Sequence, residues 1–169
     1  MLELSPKDKK IKGRTSSGFS LIELLIVIAI ILIIAAIAIP DLMRARMSAN
    51  QASAVESCRT VTSGEAIYYT LYNSFAPSLV ALGGPAVGAP SASNAQLIDD
   101  VLSAGNKSGY NFTYVALSMD ASGNYEDYGL NADPVSPGFT GVNHYFTDEP
   151  STIHWNASAS ASVTDPPIQ

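Results

Sequence analysis

One cysteine in 169 residues, Cys58, rules out an intrachain disulfide and a CxxCH haem attachment. The chain has only two histidines, His144 and His154, and no cysteine or histidine spacing of the kind that holds zinc. It also lacks a Gly-rich phosphate loop and a serine-nucleophile motif. Positive charge is scarce as well. Of nine Lys and Arg, five (Lys7, Lys9, Lys10, Lys12 and Arg14) precede residue 15, and the overall −6 becomes −9 once the +3 of residues 1–18 is set apart. A chain so acidic does not offer the clustered bases that neutralise phosphates, so general nucleic-acid binding is not expected. No cofactor or metal is expected either, and the chain does not read as an enzyme.

What the chain does have is a 21-residue run from Phe19 to Ile39 that is apolar except for Ser20 and Glu23. As a helix it would extend about 30 Å, the thickness of a bilayer's hydrocarbon. Glu23 is the anomaly. An acid at the centre of a span costs about 2.5–3.5 kcal/mol, and less near an end, where the side chain can snorkel. Two readings follow. Either Glu23 is the interfacial acid of an ordinary anchor, or another chain brings it a cation. Ala36-Ile37-Ala38 forms an A-x-A triplet of the kind a secretory peptidase cuts, but the run is longer than a signal-peptide core and contains an acid. The basic residues before the run place the N-terminus in the cytoplasm, a bias weakened by Arg44 and Arg46 beyond it.

Gly18-Phe19-Ser20-Leu21-Ile22-Glu23, after a short basic leader and before a long apolar helix, resembles the class III signal peptides of type IV pilins and type II secretion pseudopilins. The resemblance implies several things. A prepilin peptidase and N-methyltransferase would cut between Gly18 and Phe19 and methylate the new Phe19 amine. Glu23 would then pair with the Phe19 amine of a neighbouring subunit as helices pack into a filament. Two charges that are each costly in apolar surroundings do compensate one another when apposed. Pro40 falls where such pilins carry a helix-interrupting proline. It would kink or locally melt the helix by leaving the Ala36 carbonyl without its donor, at about 3 kcal/mol; the rival reading is that the membrane helix ends there. Many type IV pilins close a C-terminal loop with a disulfide, and the single cysteine departs from that pattern.

The expected organisation is a leader over 1–18, a membrane and filament-core helix over 19–40, and an amphipathic continuation over 41–72. A loop with a short helix follows over 73–107, then an antiparallel sheet over 108–157 and a flexible tail over 158–169. The stretch after Pro40 is proline-free to Tyr72 and rich in Ala, Met, Arg, Glu and Gln, which predicts helix. Val55, Cys58, Val61, Tyr68 and Tyr72 fall at helical spacings and mark a face able to lie on a sheet. Cys58 on that face reads as a packed side chain. Ser93 or Asn94 would cap a helix over 95–104, stopped by Gly105. Tyr110, Phe112, Tyr114 and Ala116 alternate as one face of a strand; residues 120–124, DASGN, turn into a weaker strand; and VNHYFT and TIHWNA flank DEPS as a hairpin. Helix, loop, then about four strands is an α+β, pilin-like order.

Three further features invite chemistry. If the last hairpin turns symmetrically at Asp148–Ser151, His144 faces Trp155 and His154 faces Tyr145, which points the imidazoles to opposite faces; a register shift of one would remove that objection. Asp120, Ser122, Asn124, Glu126 and Asp127 form an oxygen-rich cluster, but Tyr125 stands where a calcium loop needs glycine and Asn131 where it needs Glu. N-x-S/T triplets begin at Asn106, Asn111 and Asn156.

The expectation is therefore a structural subunit of a type IV pilus that forms a homopolymer with itself. It starts as an inner-membrane precursor with a periplasmic C-terminal domain and ends in an extracellular filament, handled by an assembly platform and its ATPase. The alternatives are a type II secretion pseudopilin and a membrane-tethered periplasmic binding module or enzyme. Tyr68, Tyr69 and Tyr72 have a spacing that suits packing and electron conduction equally.

Overall fold

A computed structural model describes residues 18–85, 87–149 and 151–168. The expected leader, Gly18 apart, lies outside them. The chain divides at Ile39/Pro40 into two compact units. One helix, α1 (Leu21–Tyr72), contributes to both, with Pro40 inside it.

In the first unit nearly every side chain from Phe19 to Ile39 is exposed. Leu and Ile surround the helix on all sides, so no single face could be buried against a domain. Among the described residues this is the one helix long and apolar enough to cross a membrane.

In the second unit the helix becomes one-sided. Ala54, Ser57, Cys58, Val61, Gly64, Glu65 and Tyr68 are its buried residues, at spacings of three and four. They pack on a five-stranded antiparallel sheet ordered β1-β2-β3-β4-β5. Its strands are β1 (Asn106–Lys107), β2 (Tyr110–Met119), β3 (Tyr125–Pro134), β4 (His144–Asp148) and β5 (Ile153–Asn156). Tyr110, Tyr128, Leu82, Leu102, Leu130, Val61 and Cys58 are fully buried between helix and sheet. Each large apolar side chain so placed stabilises the unit by about 1.5–3 kcal/mol relative to exposure.

The fold is α+β and pilin-like, with five strands where the sequence predicts about four. The extra one, β1, has two residues, too few to show alternation, and it is joined to β2 by Ser108 and Gly109 at φ 51° and 74°. Both left-handed values suit a tight hairpin turn.

The expected helix over 95–104 shrinks to α3 (Asp100–Ser103), capped by Asp99, whose Oδ1 accepts from Leu102 N–H at 2.9 Å, and not by Ser93 or Asn94. The residues before it are held away from helix by tertiary pairing. Ala95 and Leu97 donate to the Ala81 and Leu82 carbonyls, and Gln96 between them sits at φ 56°. Ala81 and Leu82 belong to α2 (Leu79–Leu82), a single turn capped by Ser78 that is too short to register as periodicity. Gly105, at φ 79°, does stop α3.

The β4–β5 hairpin differs in register by one from the symmetric expectation. His144 faces Asn156, Tyr145 faces Trp155 and Phe146 faces His154. Thr147 and Ile153 close the ladder, so the connection has five residues instead of four, and Ser151 takes φ 62° to make the turn. Beyond β5 the low-complexity stretch is tied down where composition predicts mobility. Trp155 N–H donates to Pro166 O at 3.0 Å, Ile168 N–H donates to Ile153 O at 2.7 Å, and Ala161 is buried.

Candidate functional site

The start of α1 places the motif residues together. Gly18, Phe19 and Ser20 precede the helix in irregular backbone, and Phe19 is 88% exposed. Ser20 N–H donates to Glu23 Oε2 at 2.8 Å, and Leu24 N–H donates to Ser20 O at 3.2 Å. The spacing S-x-x-E is half of a capping box, in which the acid reaches back to the backbone N–H of the residue that starts the helix. Glu23 therefore has a partner within its own helix, which the sequence reading overlooked although the Ser20-Leu21-Ile22-Glu23 signal was present. A carboxylate in the first turn also lies at the favourable end of the helix dipole. Pro40 lies in the interior of α1, four residues beyond Ala36.

The second unit holds another buried acid, which sequence reading also missed. Glu65 is fully buried on the sheet-facing side of α1. Its Oε2 accepts from Ala76 N–H at 3.0 Å, and its Oε1 lies 2.8 Å from the Tyr114 hydroxyl, which in turn lies 2.7 Å from Ala76 O. Burial pushes the carboxyl up to about 7, against the opposing pull of the Ala76 and Tyr114 hydrogen bonds. A phenol has one proton and here meets two acceptors. With Glu65 ionised, Tyr114 shares its one proton between Glu65 Oε1 and Ala76 O; with Glu65 protonated, the carboxyl can donate to Tyr114 Oη while Tyr114 donates to Ala76 O. The result is a closed ring of hydrogen bonds joining α1, β2 and the segment after α1. A lone Glu among alternating small residues gives no periodic signal, because it occupies a core position without being apolar.

The other candidates do not form sites. The register places His144 and His154 on the same face of the sheet, yet they take separate partners: His144 Nδ1 meets Asp133 Oδ1 at 2.6 Å, and His154 Nδ1 meets Asp165 O at 2.6 Å. The Asp120 carboxylate is occupied by its own turn, accepting from Ser122 N, Asn124 N and Asn124 Nδ2, and these bonds hold it below the usual carboxylate range. No group of three or more His, Cys, Asp or Glu among the described residues could hold a metal ion. Cys58 is fully buried, and burial pushes its thiol up to about 12, so it stays a thiol. Tyr68 and Tyr72 meet in a tilted arrangement with ring centroids 4.6 Å apart, while Tyr69 meets Phe75 at 4.9 Å.

A long helix that is apolar but for Glu23 at its start and one-sided later, packed on an antiparallel sheet, defines a membrane-competent pilin-like protein. Residues 13–39 match the family described as the prokaryotic N-terminal methylation motif. The chain is also similar to a protein of Thermus thermophilus described as a type IV wide pilus major component, with 42% identity over 69 residues. That similarity covers 41% of this chain and 53% of the relative, so the chain spans about half the length of the curated relative it matches. The chain is type IV pilin-like.

Proposed function

We propose that the chain is the processed, polymerising subunit of a type IV pilus. In this reading prepilin peptidase cuts between Gly18 and Phe19, the Phe19 amine is methylated, and copies assemble through α1 into a filament. The observation that carries the reading is the uncovered apolar surface of the first unit. Leu21, Ile22, Leu24, Leu32, Ile33, Ile34, Ile37 and their neighbours stay exposed, which water does not tolerate. Lipid covers them in the precursor, and other copies cover them in the filament.

Lipid and protein interiors are about equally apolar, so moving the helix from one to the other supplies little hydrophobic drive. Selection of the filament then falls to packing and to charge. Cleavage creates an ammonium at Phe19, four residues from Glu23. A neighbour's ammonium against Glu23 offsets the desolvation of both groups, and the Ser20 capping bond is the arrangement this pairing competes with or extends. Pro40, which has no N–H to give the Ala36 carbonyl, provides the weak point within α1 that packing into a filament draws on. The assembly platform and its ATPase supply the work of extraction.

Intact mass and N-terminal sequencing of the mature protein test processing, with methylated Phe19 expected as the first residue. Glu23→Ala should be cleaved normally and yield few or no filaments; an unchanged yield sinks the pairing. Filaments on the cell surface that contain this chain separate a pilin from a secretion pseudopilin.

A further inference from the structure

The β3–β4 connection folds onto the first turns of α1 after Pro40. Asn50 Nδ2 donates to Thr140 O at 2.8 Å, and Gln51 Oε1 accepts from Val142 N and Asn143 N at 3.0 and 3.2 Å. The loop is also tied to itself, by Phe139 N–H to Ser136 O at 3.0 Å and Gly138 N–H to Gly141 O at 2.8 Å. This well-bonded turn nevertheless leaves Phe139 68% exposed, with Val142, Leu42 and Met43 exposed nearby in the chain. Between loop and helix lies a groove of ≈ 360 Å³ whose lining includes Met43, Arg46, Asn50, Ser108, Phe139 and Thr140. Arg46 is the one charged residue in that lining and forms no ion pair among the described residues.

We propose that this face docks on the lipid bilayer, with Phe139 entering the boundary between headgroups and acyl chains and Arg46 binding the phosphate of an anionic lipid. The proposal rests on reading Phe19–Ile39 as a membrane span. Given that span, covalent connection limits the distance. Met43 is four residues past Ile39, a reach of at most about 14 Å whatever the chain does at Pro40. One edge of the groove is therefore held near the headgroup layer. Charge points the same way. Of the four basic residues after Gly18, Arg44 and Arg46 lie within seven residues of Ile39, against one nearby acid, Asp41, set 3.9 Å from Arg44. The rest of the second unit is strongly acidic and is repelled by an anionic surface, which leaves this end as the one suited to approach it. An aromatic ring beside an arginine is the side-chain pairing that suits the membrane interface.

The test uses the full chain in phosphatidylcholine vesicles containing phosphatidylglycerol, with Trp155→Phe removing the native fluorophore. Phe139→Trp reports on the loop and Ile31→Trp on the span, each with lipids brominated high or low on the acyl chain. Lipids brominated near the headgroup should lower the emission of the Phe139→Trp protein about twofold, and Arg46→Glu should reverse most of that loss. If the Phe139→Trp protein is unquenched while the Ile31→Trp protein is quenched, docking is wrong and the span stands. If neither is quenched, the span reading fails and docking fails with it. Emission that follows the protein-to-lipid ratio instead of bromination identifies a second copy as the occupant and overturns the lipid assignment.

Discussion

Glu65 is the residue whose ionisation matters most to the second unit. Its folded pKa of about 7 lies above the ordinary 4.5, so the folded chain holds this proton more tightly than the unfolded chain does. The associated stability is fully present below about pH 4.5 and is lost as pH rises towards 7, by about 3 kcal/mol in all. Burial sets that sign, and the Tyr114 hydrogen bond pulls against it. Tyr68 lies on its own helix and Tyr114 and Tyr128 on the sheet, while Glu126 and Glu149 line the same pocket with no base among them. Glu65→Gln should keep the ring, because its amide can donate to Tyr114 Oη and accept from Ala76 N–H. Denaturant melts between pH 4.5 and 7.5 should therefore show that variant losing most of the pH dependence with little loss of stability at the acid end. Glu65→Ala strands the partners and leaves a cavity, and should cost about 2–4 kcal/mol at the acid end, a cost that shrinks as pH rises towards 7 because the variant lacks the linked proton. Gly141 offers a steric counterpart, since a Cβ there would overlap the hydroxyl of fully buried Tyr110, which donates to Asn143 O at 2.8 Å. Gly141→Ala should lower stability by about 1–3 kcal/mol, read from the same melts.

At the scale of elements, what was legible followed from length and period. A 52-residue helix contains enough turns for composition to predict its end at Tyr72, and a ten-residue strand contains enough alternation to place Tyr110, Phe112 and Tyr114 inward. One-turn helices and a two-residue strand contain neither. α2 and β1 are held by tertiary hydrogen bonds and turn geometry that local pattern does not encode, and a five-residue hairpin connection is indistinguishable from a four-residue one by composition. The candidate site divides in the same way. Glu23 was visible because an acid interrupts an apolar run, whereas Glu65 was hidden because the helix around it is mixed. Gly105 was legible as a helix stop, and its φ of 79° gives the reason. A β-carbon there suffers the left-handed penalty and would sit 3.2 Å from Phe112 O. Gly105→Ala should therefore destabilise the second unit by about 1–2 kcal/mol in thermal or chemical melts, with the α1 face unchanged.

For the whole molecule, the two units answer to different solvents, and this separates folding from assembly. Among the described residues every fully buried core residue lies at Ala54 or beyond, so the second unit's core is built without side chains of the apolar run. A fragment beginning at Met47 retains that core and keeps Asn50 and Gln51, which hold the β3–β4 loop. It should be soluble without detergent, unfold in one cooperative transition and sediment as a monomer. It should also keep the Glu65-linked fall in stability between about pH 4.5 and 7, because Glu65, Tyr114 and Ala76 are all within it. The full chain should need lipid or detergent, since Phe19–Ile39 exposes apolar side chains around its whole circumference. If the fragment self-associates into filaments, polymerisation resides in the second unit, and Phe19 and Glu23 are not central to it. If it fails to fold, the earlier turns of α1 supply stability that its buried residues do not account for. A folded monomer that cannot polymerise leaves the apolar run of α1, with Glu23 and the Phe19 amine that the proposed cleavage would create, as the part of the chain that assembly requires.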